Sequence, residues 1–114
     1  MAFLPNEPVL VDVDNTENWL IHIYDSDYDG KPIPHTGENL YAAIKDADGL
    51  IVFEAEIGDE LSIIPGTTHG IQLSVPWGIV KDLPPAQYYA TIVAIEDANN
   101  RDKIIDLVIR HEVK

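Results

Sequence analysis

The sequence predicts an all-β fold, an antiparallel β-sandwich of seven to eight strands with one short helical turn near residues 77–83. Short apolar segments alternate with clusters of Asp, Asn, Gly and Pro along the whole chain. Within these segments apolar and polar residues alternate with a period of two, as in strands that bury one face. The length of 114 residues suits one domain. We therefore expect two sheets around a single core.

The predicted strands follow one another at spacings near a dozen residues. They span residues 8–13, 19–24, 39–45, 50–57, 61–64, 71–75, 88–96 and 103–113. In the third strand Leu40, Ala42 and Ile44 share one face and should point inward. The core face of the second strand stays ambiguous, because apolar side chains occupy both of its faces.

The turn Asp46–Gly49 joins the third and fourth strands, because an Asp-Gly pair between alternating segments is a strong hairpin signal. The fourth strand then has an apolar face and an acidic face. The apolar face carries Ile51, Phe53, Ala55 and Ile57, and the acidic face carries Glu54 and Glu56. We expect the apolar face to cover the core.

The segment after the sixth strand predicts a corner between two sheets. Trp77 to Leu83 can form one helical turn before the Pro84-Pro85 pair ends it. Tyr88 and Tyr89 follow, where sandwiches of immunoglobulin-like type have a tyrosine whose hydroxyl holds the incoming loop. This favours an immunoglobulin-like sandwich.

We expect residues 1–114 to form this single domain, with residues 1–7 as a flexible or docking N-terminal arm. The N-terminus has no basic and apolar leader pattern, and no segment approaches the roughly 18 apolar residues of a membrane span. Synthesis in the cytoplasm is therefore expected. The absence of cysteine excludes disulfides, thiolate metal sites and cysteine nucleophiles.

The formal charge of −13 makes anionic binding partners unfavourable. Phosphate backbones and anionic lipids would repel it, so nucleic acid and membranes are not expected partners. A neutral or basic protein surface suits this charge better, and simple solubility is the alternative explanation.

One motif points to a metal. Asp25, Asp27 and Asp29 match the opening D-x-D-x-D-G of a calcium loop, in which carboxylates supply oxygen ligands. The twelfth position is Thr36 where such a loop needs Glu. Glu38 or the Asp12 and Asp14 pair could complete a different calcium site. Because tight turns select the same residues, a turn is favoured over calcium.

The sequence predicts no catalytic residue and no cofactor, hence no enzyme. His22, His35, His69 and His111 form no metal-binding motif and are expected on the surface or in loops. Ser26, Ser62 and Ser74 lie in no nucleophile motif, and no phosphate-binding glycine loop occurs. Glu54 and Glu56 could pair as in a glycosidase, but a solvated strand face is favoured. Trp19 and Trp77 are either exposed anchors or core residues, with the core favoured.

Three segments carry a resemblance to a known family. They are DGKPIPHTG at 29–37, LYAAIKDADG at 40–49 and LPPAQYY at 83–89. Over residues 18–113 the chain resembles the immunoglobulin-like N-terminal domain of the upper baseplate protein of long-tailed bacteriophages and related small phage and prophage virion proteins. It differs in having Ala86 where the family usually has glycine.

This resemblance implies a non-enzymatic structural protein located in the virion. It would be a tail or baseplate component or an adaptor that docks on other phage virion proteins by strand edges and loops, in several copies or as a homo-oligomer. A capsid decoration (cement) protein of the phage head is one alternative. A calcium- or carbohydrate-dependent binding module, resting on Asp25, Asp27, Asp29 and the tryptophans, is another.

Overall fold

A computed structural model of the chain describes residues 8–27, 29–97 and 99–112. Within these residues the chain forms eight strands and one short helix. They are β1 (Val9–Asp14), β2 (Trp19–Tyr24), β3 (Leu40–Lys45), β4 (Ile51–Glu56), β5 (Leu61–Ile63), β6 (Gly70–Val75), α1 (Trp77–Val80), β7 (Ala86–Ile95) and β8 (Arg101–Glu112). The predicted all-β class is confirmed, and the predicted arm at residues 1–7 lies outside the described residues. No helix in these ranges is long and apolar enough to cross a membrane.

The strands form two sheets that pack as a sandwich. The five-stranded sheet has the order β1-β8-β7-β3-β4, and the three-stranded sheet has the order β2-β6-β5. Strands β1 and β8 run parallel, with Val9 opposite Leu107, while the other named pairs are antiparallel. The prediction that the sheets are antiparallel is therefore wrong for this pair. The strand that follows β1 in sequence, β2, lies in the other sheet, so no hairpin imposes an antiparallel neighbour on β1. The arrangement is the predicted immunoglobulin-like sandwich.

Alternation along the strands places one face of each sheet in the core. In β3 the residues expected to point inward, Leu40, Ala42 and Ile44, are fully buried. In β2 the core face is the one that carries Trp19, whereas Leu20 on the other face is exposed. The core is completed by Ile21, Ile23, Ala55, Leu61, Ile71, Leu73, Val75, Val80, Tyr88, Ala90, Ile92, Ala94, Leu107 and Ile109. Each large aliphatic side chain buried here contributes roughly 1.5–3 kcal/mol.

A bulge in β4 turns one predicted core residue toward water. Ile44 lies opposite Phe53, but the next residue of β3, Lys45, lies opposite Ile51. Two steps on β4 thus match one step on β3, so Val52 is the extra residue. Ile51 therefore shares the outer face with Lys45 and is 52% exposed. The prediction that Ile51 faces the core is wrong, whereas Phe53 packs against the core as expected.

The corner between β6 and β7 contains the predicted helical turn and a tyrosine hydrogen bond. Helix α1 begins after Pro76, the N-cap residue, whose carbonyl accepts hydrogen bonds from the N–H groups of Ile79 and Val80. The Tyr88 hydroxyl donates to the Pro84 carbonyl at 2.6 Å, and its buried ring lies 6.0 Å from that of Trp19. Burial raises the pKa of the Tyr88 hydroxyl. Of the two candidate tyrosines, Tyr88 therefore holds the corner and Tyr89 points outward.

Candidate functional site

The outer face of the five-stranded sheet carries a continuous row of side chains. Strand pairing places Leu10 of β1 opposite Val108 of β8, and Val108 opposite Tyr89 of β7. Tyr89 lies opposite Lys45 of β3, and Lys45 lies opposite Ile51 of β4. We call these five residues the cross-strand row. They lie side by side across the whole sheet, because neighbouring strands are about 4.8 Å apart.

The cross-strand row is largely apolar although it faces water. Leu10, Ile51 and Tyr89 expose 61%, 52% and 43% of their surface. Leu50, which is 65% exposed, extends the apolar surface from Ile51 toward the β3–β4 turn. Scattered exposed apolar residues are ordinary, but a contiguous group indicates a binding surface. We therefore take the row as the candidate docking surface.

Ion pairs border the cross-strand row on both sides. On one side Arg110 Nε lies 2.7 Å from Asp12 Oδ1, across β8 and β1. On the other side Asp106 accepts hydrogen bonds from Lys103 Nζ at 2.9 Å and from Thr91 Oγ1 at 2.7 Å. The bond from Lys103 lowers the pKa of the Asp106 carboxyl. An apolar centre with a polar rim is the usual composition of a protein–protein interface.

The outer face of this sheet is much less acidic than the chain as a whole. Its basic side chains are Lys45, Arg101, Lys103 and Arg110. Its acidic side chains are Asp12, Asp14, Glu54, Glu56, Asp106 and Glu112. Four positive and six negative charges leave this face at −2, compared with −13 for the chain. The rest of the chain therefore carries a formal charge of −11.

Glu54, considered above as half of a glycosidase pair, holds a tyrosine on this face. It accepts a hydrogen bond from the Tyr41 hydroxyl, and this bond raises the pKa of Tyr41 because the ionised phenol would face a carboxylate. The Arg101 guanidinium lies 5.9 Å from the centre of the Tyr41 ring. Glu54 and Glu56 are both exposed, which agrees with the favoured solvated strand face.

The D-x-D-x-D-G segment forms a turn in which Asp27 binds the backbone. Its Oδ1 accepts hydrogen bonds from the N–H groups of Asp29 and Lys31, both at 2.9 Å. Gly30 donates to the Asp27 carbonyl at 3.0 Å and has a φ of 80°, which favours glycine. The segment that starts at Asp46 repeats the same hydrogen bonds. The pattern that resembles a calcium loop is thus a capped tight turn.

The three carboxylates considered as calcium ligands have different surroundings. Asp25 contacts His35, Asp27 caps the turn and Asp29 is exposed. Glu38, considered as a further ligand, also contacts His35. Among residues 8–27, 29–97 and 99–112 no group of three or more such side chains is arranged to hold a metal ion. Calcium binding by Asp25, Asp27 and Asp29 stays a prediction to be tested by titration.

His35 is a buried histidine between two carboxylates. It is 5% exposed, with Nε2 lying 2.7 Å from Asp25 Oδ2 and Nδ1 lying 2.6 Å from Glu38 Oε1. Each ring nitrogen of His35 thus lies within hydrogen-bond distance of one carboxylate oxygen. The His35 backbone N–H donates to the Thr68 carbonyl at 2.8 Å. This cluster, the His35 clamp, fastens the β2–β3 loop to the β5–β6 loop.

His111 contradicts the expectation that the histidines lie on the surface or in loops. It is 3% exposed on the inner face of β8, and its ring meets that of Trp19 edge-on at 5.1 Å. Nε2 donates to the Leu83 carbonyl at 3.1 Å, and the buried Nδ1 has no hydrogen-bond partner in the described part of the chain. His111 follows the inward alternation of β8, so packing decides its position.

The histidines and serines do not form a catalytic pair among the described residues. The side-chain partners of the histidines are Gln72, Asp25, Glu38 and the Leu83 carbonyl. Ser62 and Ser74 lie on β5 and β6, and Ser26 forms an isolated bridge with Pro32. The positions of the serines are thus set by strand pairing.

The two tryptophans differ in exposure. Trp19 is 1% exposed, which confirms the favoured core position, whereas Trp77 is 47% exposed, so the core interpretation is wrong for it. The Trp77 backbone N–H donates to Asn18 Oδ1 at 2.8 Å, and Lys81 Nζ lies 5.3 Å from the Trp77 ring centre. A shallow depression nearby is lined by Glu17, Asn18 and Leu20.

Sequence reasoning missed both the cross-strand row and the His35 clamp. The row depends on pairing between β1 and β8 and on the bulge at Val52, neither of which leaves a local sequence signal. The clamp has a partial signal, since His35 and Glu38 are three residues apart in a loop. Its other carboxylate, Asp25, was instead considered as a metal ligand.

No protein-family model matches this chain, and no curated protein matches it.

Proposed function

We propose that this chain is a non-enzymatic bacteriophage structural protein, a tail or baseplate component or an adaptor, which docks on neighbouring virion proteins. The observation that carries the docking role is the cross-strand row, an exposed apolar strip that crosses all five strands of a sheet face with a net charge of only −2. Leu10, Tyr89 and Ile51 supply its apolar area, and the paired charges of Asp12 and Arg110 supply part of its rim. Aromatic residues such as tyrosine, buried at the centre of an interface inside a polar rim, supply much of the binding energy.

The phage assignment is supported by the resemblance of residues 29–37, 40–49 and 83–89 to small virion domains. In two of these segments the turn glycines Gly30 and Gly49 adopt positive φ. In the third, Tyr88 makes the corner hydrogen bond. These residues serve the sandwich itself, so the resemblance supports a rigid scaffold whose exposed faces do the docking.

Particle association tests this proposal. We expect the chain to copurify with phage particles through a density gradient. Tyr89→Asp should lower the amount of the chain per particle on the order of tenfold or more, because it places a charge in the middle of the apolar strip. Leu20→Asp is the matched control, since Leu20 is 60% exposed on the other sheet. Thermal melts establish that both variants are folded. Absence of the wild-type chain from particles would refute the proposal.

The same preparation separates the tail placement from the capsid alternative. Tails and heads can be purified separately from phage mutants in which the two do not join. If the chain is a tail component or adaptor, it should be found in the tails or baseplates and not in the heads. If the chain is instead found on the heads, with a copy number per head that matches the symmetry of the capsid lattice, it is a decoration protein.

A carbohydrate-dependent role has one observation in its favour. The ring of Trp77 is half exposed beside the depression lined by Glu17, Asn18 and Leu20, and aromatic faces are common in sugar sites. A glycan array with and without calcium tests it. Binding that Trp77→Ala abolishes and Tyr24→Ala leaves intact would favour this role, since Tyr24 is an equally exposed aromatic on β2.

A further inference from the structure

We infer that the neighbouring subunit on the cross-strand row is a second copy of this chain, packed face to face across a two-fold axis that runs along β7. This inference rests on the proposed function, because it takes the row as the docking surface and names its occupant.

The strand order makes the row self-complementary about β7. In the order β1-β8-β7-β3-β4, strand β7 is central, with two strands on each side. Consider two copies whose five-stranded sheets face each other, with a two-fold axis that lies between the sheets and runs parallel to β7. Strand β7 of one copy then faces β7 of the other, β8 faces the partner copy's β3, and β1 faces the partner copy's β4. Tyr89 then meets the partner copy's Tyr89, and Leu10 meets the partner copy's Ile51. Every exposed apolar residue of the row thereby gains an apolar or aromatic neighbour.

The position of Lys45 selects this axis over the perpendicular one. A two-fold axis along the row would set Lys45 directly against the partner copy's Lys45, which costs energy by like-charge repulsion. The axis along β7 instead sets Lys45 against the partner copy's Val108. The two ammonium groups then lie on opposite sides of β7, about 10 Å apart along the row, given about 4.8 Å between strands.

Charge also favours this face for self-association. Two copies that each carry −13 repel one another, and the repulsion depends on which surfaces approach. The outer face contributes four positive and six negative charges, whereas the rest of the chain carries the remaining −11. Approach through the outer face of the five-stranded sheet therefore brings fewer like charges together than approach through the loops, where most of the other acidic residues lie.

The size of the face predicts a weak dimer. Five strands at about 4.8 Å and about five residues at about 3.3 Å give each copy a projected area of roughly 400 Å². Two such faces bury on the order of 1,000 Å² of surface, which is at the lower end for specific interfaces. We therefore expect a dimer that dissociates on dilution and tightens with added salt, because salt screens the repulsion between the two acidic chains.

Cysteine cross-linking tests the inference, since the chain has no cysteine of its own. Tyr89→Cys places a thiol on the two-fold axis, so two copies should form a disulfide under mild oxidation. Leu20→Cys, on the opposite sheet, is the matched control for random collision. We expect the Tyr89→Cys chain to cross-link on the order of tenfold faster or more, because the dimer raises the local thiol concentration. Equal rates would overturn the inference.

A mixed experiment tests the axis. Two cysteine variants, Leu10→Cys and Ile51→Cys, are prepared with tags of different length, so that the three possible cross-linked dimers differ in size. They are mixed, treated with a short bismaleimide and separated by size. The axis along β7 predicts mainly the mixed product. Equal amounts of the Leu10→Cys homodimer would overturn that axis, because the perpendicular axis sets Leu10 against itself.

These outcomes are separable from those of the particle experiment. A chain found in particles whose Tyr89→Cys variant does not cross-link in solution overturns the self-association and leaves the virion role intact. A chain that cross-links at position 89 but is absent from particles refutes the virion role and leaves the dimer intact.

Discussion

The hydroxyl of Tyr88 lies 2.6 Å from the backbone carbonyl of Pro84, and this bond ties the loop after α1 to the start of β7. The loop carries the chain from one sheet to the other. Tyr88 also packs its ring on Trp19, so one side chain fixes the loop and fills the core.

Tyr88→Phe should therefore destabilise the fold by about 1–2 kcal/mol, because it removes the donor and leaves the Pro84 carbonyl without it. Chemical denaturation measures the change in the free energy of unfolding. Tyr89→Phe is the matched control, since the Tyr89 hydroxyl makes only an exposed contact with Gln87 at 3.2 Å. Equal losses in the two variants would contradict the corner's role.

Stability should fall at alkaline pH. Burial raises the pKa of Tyr88 above its ordinary value of 10.0, so the folded state disfavours the phenolate. The stability that the neutral phenol provides is complete below the unfolded-state pKa and is lost as the pH rises through the folded-state pKa. The hydrogen bond to Glu54 raises the pKa of Tyr41 and acts in the same direction. Urea midpoints between about pH 8 and 11 should fall less steeply in Tyr88→Phe; parallel curves would refute the assignment.

The His35 clamp should set the stability of the loop that contains it. His35→Ala removes the ring that contacts both Asp25 and Glu38. We expect the free energy of unfolding to fall by about 2 kcal/mol, because the substitution removes a hydrogen-bond partner from each of two partly buried carboxylates. Hydrogen exchange should show lost protection at the His35 and Asp25 amides. His22→Ala is the control, as the His22 ring makes an exposed hydrogen bond with Gln72. Unchanged exchange in His35→Ala would contradict the clamp.

The turn at Asp27 should be structural and independent of calcium. Asp27→Ala removes two hydrogen bonds to the backbone, with an expected loss of about 1 kcal/mol, whereas Asp29→Ala should change stability little. We expect added calcium to leave the melting temperature unchanged. A calcium-dependent rise that both variants abolish, with heat in a titration calorimeter, would instead establish the calcium site.

The bulge in β4 predicts opposite responses at two neighbouring apolar positions. Ile51→Ser should change the free energy of unfolding of the monomer by less than about 0.5 kcal/mol, because Ile51 faces water. Phe53→Ser should cost about 3 kcal/mol, because Phe53 packs on the core. Denaturation at low protein concentration measures both. A larger loss from Ile51→Ser than from Phe53→Ser would mean that the bulge is absent.

Local patterns were sufficient to predict most of the strands. The alternation of Leu40, Ala42 and Ile44 predicted the buried face of β3, because side chains on a strand alternate regardless of its partners. The sequence predicted that the corner tyrosine is Tyr88 or Tyr89, because both follow the Pro84-Pro85 pair that ends the helical turn. The choice between them required the register of β7.

Features that depend on long-range pairing could not be predicted. The exposure of Ile51 follows from one extra residue in β4, and nothing in the sequence around Val52 distinguishes a bulge from a regular strand. The cross-strand row joins residues as distant in sequence as Leu10 and Val108. Its apolar character is invisible until the order of the strands is known.

The parallel pairing of β1 with β8 has a consequence for biosynthesis. Val9 finds its partner Leu107 only after all the residues between them have left the ribosome. Until then one edge of the growing sheet stays open, and such edges are where nascent chains aggregate. Closure of this fold is therefore a late event, and we expect it to be slow, as in other domains dominated by contacts distant in sequence.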